Sequence, residues 1–154
     1  MKIKVHTDSI DNMSSIIEAL GESGLPVVFP VHSRTEKYLK EYGLLMPDNV
    51  KLVKPLGYLD MLRLMANAGK ILTDSEGIQK EAYMLGVPCI TLRENTEWME
   101  TLEGGWNVLA GAEKGNIIKA ISNLAPMGAH RNVFGNRASE EILDILRREM
   151  WMKE

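Results

Sequence analysis

Short apolar runs alternate along this chain with longer segments in which apolar residues recur every three or four positions. The short runs are typical of buried strands, and the longer segments are typical of amphipathic helices. Regular alternation of the two predicts an α/β fold with a parallel sheet of five to six strands, covered by helices on both faces. The predicted strands are 3–5, 27–31, 50–53, 70–73 and 89–92, with 107–109 as a candidate sixth.

Helices are predicted in most of the intervening segments. Asp11 is expected to cap the first helix, because it directly precedes apolar residues at helical spacing. Further helices are predicted at about 35–42, 58–66, 113–124 and 138–149, and another follows the turn at 75–77. No repeat, low-complexity tract or interdomain linker interrupts the pattern, so residues 1–154 are expected to form a single domain.

Composition and charge exclude several classes of protein. The 154 residues carry 18 basic against 21 acidic side chains, and this net charge of −3 indicates no general nucleic-acid surface. The single cysteine, Cys89, excludes an internal disulfide or a cysteine-built metal site, and its apolar strand predicts an inert core thiol. No metal or cofactor is predicted. Neither a membrane-spanning run nor a signal peptide is recognisable, so a cytoplasmic protein is expected.

Five candidate residues follow the predicted strands at the points where the strands end. These residues are His6, His32, Pro55, Ser75 and Glu94. In a parallel sheet the carboxyl ends of all strands lie at one edge, where ligands of such folds bind. The topology therefore predicts that these side chains line one common site.

The turn at residues 75–77 is the best candidate for the centre of that site. A strand that runs directly into a helix directs free amides and the positive end of the helix dipole toward one point, which suits a phosphate. Glu81 can lean back toward the same point, because helical side chains tilt toward the N-terminus. An anion site beside a carboxylate fits a nucleotide, held by its phosphates and its ribose diol. The Ser75 hydroxyl either caps the helix, bonds a phosphate, or does both.

Three motifs follow one another between residues 73 and 101. They read Thr-Asp-Ser-Glu-Gly-Ile-Gln-Lys-Glu-Ala, Gly-Val-Pro-Cys and Leu-Arg-Glu-Asn-Thr-Glu-Trp-Met-Glu-Thr. In this order they resemble the signature of the non-hydrolysing UDP-N-acetylglucosamine 2-epimerases, in the C-terminal half of those enzymes. The resemblance extends to residues 30–35, 55–58, 105–109 and 134–139, and so covers almost the whole chain. It implies a three-layer Rossmann-like domain, like the C-terminal domain of a GT-B fold.

The resemblance implies a role for each residue of a UDP site. Ser75 and Gly77 would hold the diphosphate, Glu81 would accept hydrogen bonds from both ribose hydroxyls, and the loop from Pro55 to Tyr58 would receive the uracil. Tyr58 is equally well explained as a half-buried packing residue.

Glu76 departs from the family, because it replaces the first of two glycines at the diphosphate. A carboxylate about 5 Å from a diphosphate repels it by a few kcal/mol at an effective dielectric near 20. That repulsion corresponds to a roughly ten- to hundred-fold loss of affinity. Glu76 is therefore expected to weaken the binding of UDP, although its place in the first helical turn also favours the helix dipole.

Other positions match the family unevenly. His6 aligns with a substrate-facing histidine of a His-Arg-x-Glu-Asn box and is the one weak candidate for a catalytic residue. Here the box is one residue shorter and lacks both Arg and Glu, so the residues themselves favour a surface histidine. His32 and Arg34 match better, and an arginine beside a cleft suits a second anionic group. Trp98 replaces an arginine of the commoner motif, and it either packs the loop or forms an apolar wall of the cleft.

The resembling enzymes interconvert UDP-GlcNAc and UDP-ManNAc by eliminating and re-adding UDP, between two Rossmann-like domains. The carboxylates assigned to proton removal lie mainly in the N-terminal domain, which this chain is expected to lack. A domain that binds the UDP part of a UDP-sugar but is inactive alone is therefore expected. Its partners would be a separate N-terminal domain chain or further copies of itself. The alternative is a non-catalytic interaction or regulatory protein that reuses the half-fold.

Overall fold

Alternating helices and strands make up the computed structural model, which describes residues 9–135 and 137–151. A short 3₁₀ segment, Met99–Gly105, precedes the last strand. The strands are β1 (Val27–Pro30), β2 (Val50–Val53), β3 (Ile71–Thr73), β4 (Cys89–Thr91) and β5 (Asn107–Leu109). The helices are α1 (Ile10–Glu22), α2 (Ser33–Glu41), α3 (Tyr58–Ala66), α4 (Glu76–Met84), α5 (Lys114–Asn123) and α6 (Ala138–Trp151).

Every strand pairing is parallel, which confirms the predicted fold class. Strands β1 and β2 pair with Val27 opposite Val50, and β4 lies between β3 and β5 with Cys89 opposite Ile71 and Asn107. The expectation of one sheet with five to six strands needs correction, because the described residues form five strands in a two-stranded and a three-stranded sheet. No ladder joins the two sheets within the described ranges, and the predicted strand 3–5 lies outside them.

A layer of helices covers each face of β4. Successive strand residues point to opposite faces, and on one face Cys89 packs with Met65 of α3 and Ala82 of α4. On the other face Ile90 packs with Ile117 of α5, and neither isoleucine has any exposed surface. The cluster around Ile90 also contains buried residues of α1 and β2, so the two sheets share one core. These contacts are the helix–sheet–helix layers that the sequence pattern predicts.

Two predicted helix starts are wrong by two residues. Helix α1 begins after Ser9, which is extended and whose carbonyl accepts a hydrogen bond from the Met13 amide at 3.0 Å. Asp11 lies in the first turn instead, where its charge still complements the helix dipole. Helix α2 begins at Ser33 rather than near residue 35, because His32 provides the cap.

A salt-bridge clamp joins α1 to α5 at the surface. Lys114 Nζ lies 3.1 Å from Glu18 Oε2 and 2.8 Å from Glu22 Oε1. The hydrogen bond and charge of Lys114 lower the pKa of Glu18, while Glu22 and then Glu18 raise the pKa of Lys114. The clamp therefore stabilises the charged forms of these exposed groups.

Residues 125–135, here called the strap, cross over the 3₁₀ segment at a contact between two glycines. The amides of Met127 and Gly128 both donate to the Gly104 carbonyl at 3.2 Å. A Cβ on Gly128 would lie 2.6 Å from the Gly104 Cα, so any side chain there would force the two backbones apart. The crossing therefore requires glycine at position 128, and Gly104 has a positive φ of 67° as well.

Helix α6 presents an exposed apolar face. Its aliphatic side chains retain 52–58% of their accessible surface. They are Ile142, Leu143, Ile145 and Leu146. None of the helices within residues 9–135 and 137–151 is both long and apolar enough to cross a lipid bilayer.

Candidate functional site

The turn from β3 into α4 has the geometry of an exposed helix tip. Ser75 is extended, with φ −84° and ψ 127°, and α4 begins at the next residue. The Ser75 amide donates to Thr73 Oγ1 at 3.0 Å, which fixes the turn. The Ser75 hydroxyl makes no capping hydrogen bond, so the capping interpretation of this side chain is wrong. Capping does not occupy the hydroxyl, and the residue is exposed at the end of the helix.

Gly77 and Glu81 lie on the side of α4 that faces away from the core. The buried residues of the helix are Gln79, Ala82 and Tyr83, whereas Gly77 is exposed and Glu81 half-buried. Being four residues apart, Gly77 and Glu81 are neighbours on one helix face. A Cβ on Gly77 would have only the Ser75 Oγ within 4 Å, at 3.9 Å. The space beside Gly77 is therefore open apart from the Ser75 hydroxyl.

Glu76 forms an ion pair with Arg93. The distance from Arg93 Nη1 to Glu76 Oε1 is 2.7 Å, and the two side chains are 6% and 35% exposed. The Glu76 carboxylate is therefore already bound by a buried guanidinium, and the expected weakening of UDP binding stays a prediction. Sequence reasoning missed Arg93. The feature that could have indicated a role for Arg93 is its position, as a charged residue directly after a buried strand.

Glu94 lies at the same edge of the sheet, over the end of β5. Its carboxylate occupies the space where Gly111 would carry a Cβ, and Gly111 has a positive φ of 65°. The Leu92 amide donates to the Thr73 carbonyl at 2.9 Å, which sets the ends of β3 and β4 side by side. This edge thus brings together Ser75 and Glu94, as the topology predicts, and adds Glu76 and Arg93.

The remaining candidates lie at the ends of β1 and β2. The Val31 amide donates to the Val53 carbonyl at 3.0 Å, so the residues that follow these strands share an edge. His32 caps α2, with its Nδ1 accepting from the Arg34 amide at 3.4 Å, and the Arg34 guanidinium lies 5.6 Å from the centre of the Tyr38 ring. These contacts hold both residues at the N-terminal end of α2 and do not connect them with Ser75.

The uracil loop and His6 complete the set of predicted residues. Pro55 is exposed and Tyr58 retains 64% of its surface, so Tyr58 is not the half-buried packing residue that was the alternative. His6 lies outside the described residues.

Trp98 is packed by aromatic and cationic neighbours. Its ring meets Phe134 edge-on at 5.5 Å, and the Lys80 ammonium lies 4.5 Å from its centre. These contacts support the interpretation that Trp98 packs the loop. His130 of the strap, to which sequence reasoning gave no role, lies 4.7 Å from the ring of Tyr83 and places its Nε2 2.5 Å from the Tyr83 carbonyl oxygen.

Buried polar side chains hold the loop after β4 in place. Thr96 Oγ1 donates to Gln79 Oε1 of α4 at 2.7 Å and accepts from the Trp98 amide at 3.0 Å. In the strands, Thr91 Oγ1 donates to Asn107 Oδ1 at 2.8 Å. The bond from Thr96 to Gln79 anchors the loop that carries Arg93 and Glu94 to helix α4, and the bond from Thr91 to Asn107 joins β4 to β5.

Cys89 takes no part in the chemistry of the site. It is 1% exposed, and burial raises the pKa of its thiol to about 12. A thiol that stays protonated is a poor nucleophile, and the predicted inert core thiol is confirmed. Within the described residues, no group of three or more His, Cys, Asp or Glu side chains could hold a metal ion.

Comparison with known proteins identifies the fold around this site. A family model described as UDP-N-acetylglucosamine 2-epimerase matches residues 4–147. The chain belongs to the UDP-N-acetylglucosamine 2-epimerase family. Its curated relatives include a UDP-N-acetylglucosamine 2-epimerase homolog of Methanococcus maripaludis, 49% identical over 92% of this chain and 42% of the relative. Another is the UDP-2,3-diacetamido-2,3-dideoxy-D-glucuronate 2-epimerase of Pseudomonas aeruginosa, 42% identical over 75% of this chain and 33% of the relative.

A solved structure of this epimerase family is similar throughout the chain. The UDP-GlcNAc 2-epimerase of Methanocaldococcus jannaschii, crystallised in complex with UDP-GlcNAc and UDP, superposes with a TM-score of 0.84 at 40% identity. The match covers 93% of this chain and 42% of the solved one. The chain thus spans about two fifths of the length of the epimerases that it matches, and the GT-B-like resemblance to their C-terminal half is confirmed.

Proposed function

We propose that this chain is the nucleotide-binding half of an epimerase and binds the UDP part of a UDP-sugar, such as UDP-GlcNAc or UDP-ManNAc. Ser75 and the Gly77 amide hold the diphosphate, Glu81 accepts hydrogen bonds from the ribose, and the exposed loop from Pro55 to Tyr58 receives the uracil. The observation that carries this proposal is the similarity to a solved epimerase in complex with UDP. The open helix tip and the hydroxyl free of a capping bond support it.

Calorimetric titration with UDP and with uridine tests this assignment. Ser75→Ala removes one hydrogen bond to a charged group, worth about 1.5 kcal/mol or roughly tenfold in affinity. It should weaken UDP binding and leave uridine binding unchanged. Glu81→Gln should weaken both ligands, because both carry the ribose diol. The matched controls Ser122→Ala and Glu141→Gln change exposed residues of α5 and α6 and should alter neither affinity.

The same titration decides between the two functions. Absence of any heat with millimolar UDP would overturn the proposal and leave a non-catalytic interaction protein as the remaining interpretation. Two features favour that alternative, the missing charges beside His6 and the presence of Glu76, and the pairing of Glu76 with Arg93 weakens the second.

We further propose that the chain is inactive alone and acts in the cytoplasm with a protein that supplies the other half of the epimerase fold. Elimination at a sugar needs a base at C2 as well as stabilisation of the departing diphosphate, and the site described above offers only the second. The assay is conversion of UDP-GlcNAc to UDP-ManNAc, by this chain alone and after mixing with the separately expressed N-terminal half of a relative. Turnover by the isolated chain would contradict the proposal.

The exposed apolar face of α6 is the surface on which we expect a partner to bind. Contiguous exposed aliphatic side chains commonly mark protein contacts. Sedimentation of the chain at several concentrations separates the two partners considered. A concentration-dependent dimer that Ile145→Glu abolishes would assign the face to a second copy, whereas a monomer would leave it for the complementing half.

A further inference from the structure

We propose that Arg93 is a further diphosphate-binding residue of this site and that Glu76 is its internal counter-ion, which UDP must displace to bind. This inference rests on the proposed function, since it concerns the affinity of the same site. It also assigns a role to Glu76, the charged residue that stands where the family has a glycine.

The first argument is the burial of Arg93. Its side chain is 6% exposed, and a charge removed from water in this way needs a counter-ion or several hydrogen-bond acceptors. Besides Glu76, the guanidinium donates to the neutral Asn95 Oδ1 at 3.3 Å. A guanidinium carries five N–H donors in a planar fork, the arrangement that suits phosphate oxygens. Two of these donors are accounted for by the bonds to Glu76 and Asn95.

The second argument is the position of the ion pair. Arg93 follows β4 and Glu76 opens α4, which itself follows β3. Because β3 and β4 are parallel neighbours, with Thr73 opposite Thr91, their ends meet. The guanidinium therefore approaches the first turn of α4, where the helix dipole already favours an anion. The carboxylate of Glu76 neutralises this positive site from within the chain.

The third argument is the unequal exposure of the two partners. The Glu76 side chain is 35% exposed and can rotate into water, whereas Arg93 is enclosed. An arriving diphosphate offers the guanidinium an anion of higher charge, and Glu76 can leave while Arg93 stays in place. Binding is then an exchange of one anion for another on Arg93. Its affinity is lowered by the competition with Glu76 and not by repulsion alone.

The test compares UDP and uridine affinities in four proteins by calorimetry. Glu76→Gln removes the competing charge but keeps a side-chain oxygen that can accept from the buried Arg93. It should tighten UDP binding by about ten- to hundred-fold, with uridine unchanged. The double variant Glu76→Gln/Arg93→Met removes both charges, so no buried charge is left unpaired and the fold is preserved. It should bind UDP at least tenfold more weakly than Glu76→Gln. Glu141→Gln makes the same charge change at an exposed residue of α6 and should match the parent protein.

A second readout separates phosphate binding from a structural effect. If Arg93 binds a phosphate, its replacement in the double variant should reduce the salt dependence of UDP affinity relative to Glu76→Gln and should leave uridine affinity unaltered. Equal UDP affinities of parent and Glu76→Gln would overturn the competition. Equal affinities of Glu76→Gln and the double variant would overturn the role of Arg93 in binding the diphosphate. If none of the four proteins binds UDP, the proposed function itself fails, which is a distinct result.

Discussion

The sharpest prediction concerns Gly77, where the fold and the proposed ligand have opposite requirements. Gly77 is the second residue of α4, and an added methyl would have only the Ser75 Oγ within 4 Å. Gly77→Ala therefore fits without a clash and lowers the backbone entropy of the unfolded chain. Such a change stabilises a helix by about 0.5–1 kcal/mol. For a domain of this size that gain raises the melting temperature by roughly 1–4 °C.

The same methyl should impair the binding of UDP. It would stand 3.9 Å from the hydroxyl proposed to bind the phosphate, beside the amide that approaches the ligand. Losing one hydrogen bond from that amide to a charged phosphate costs about 1.5–3 kcal/mol. This is a roughly ten- to hundred-fold loss of affinity. The variant should thus be more stable than the parent and a weaker binder.

Gly115→Ala is a matched control, because Gly115 is likewise the second residue of its helix, α5. Its added Cβ would lie 3.4 Å from the flexible carboxylate of Glu113, so the gain in stability should be similar. Melting followed by circular dichroism and titration with UDP are measured for all three proteins. If Gly77→Ala binds UDP as tightly as the parent and Gly115→Ala do, the tip of α4 is not the phosphate site.

Three further predictions test the fold. Gly128→Ala should lower the free energy of unfolding by about 1–3 kcal/mol, because its Cβ would lie 2.6 Å from the Gly104 Cα. An unchanged midpoint of urea unfolding would contradict the close contact between these two glycines. Cys89 should resist iodoacetamide at pH 8 until the chain unfolds, since raising a thiol pKa from 9.0 to about 12 leaves about 1000-fold less thiolate; rapid labelling of the native protein would refute its burial. Lys114→Met should lower the melting temperature at neutral pH, and the difference should shrink as the pH falls below about 4.5 through the lowered pKa of Glu18; a pH-independent difference would assign the effect to packing.

The sequence was sufficient to predict features that depend on local pattern. Strand β4 could be located because its residues are buried on both faces, which produces a continuous apolar run between turn residues. The turn at Ser75 could be predicted in the same way, because a polar residue between an apolar strand and an amphipathic helix marks a helix start. The family motifs then assigned chemistry to positions that the pattern had already placed at a strand end.

Features that depend on long-range partners could not be predicted. Glu76 and Arg93 are separated by 17 positions, and His130 and Tyr83 by 47, so no local spacing signals either contact. The sequence left the role of the Ser75 hydroxyl open for a related reason. The residue has the backbone of a helix cap, but only the folded geometry determines whether its side chain completes the hydrogen bond. Likewise, the division into two sheets depends on tertiary pairing and not on the length of any apolar run.

The packing of Trp98 has a practical consequence for spectroscopy. The indole lies under the ammonium of Lys80, and Lys80 belongs to the same helix as Glu81 and follows the turn at Ser75. Indole emission responds to nearby charge, so a small displacement of this helix changes the fluorescence without any attached dye. We therefore expect any displacement of α4 by UDP to be measurable in unlabelled protein, on the millisecond timescale of a stopped-flow mixer.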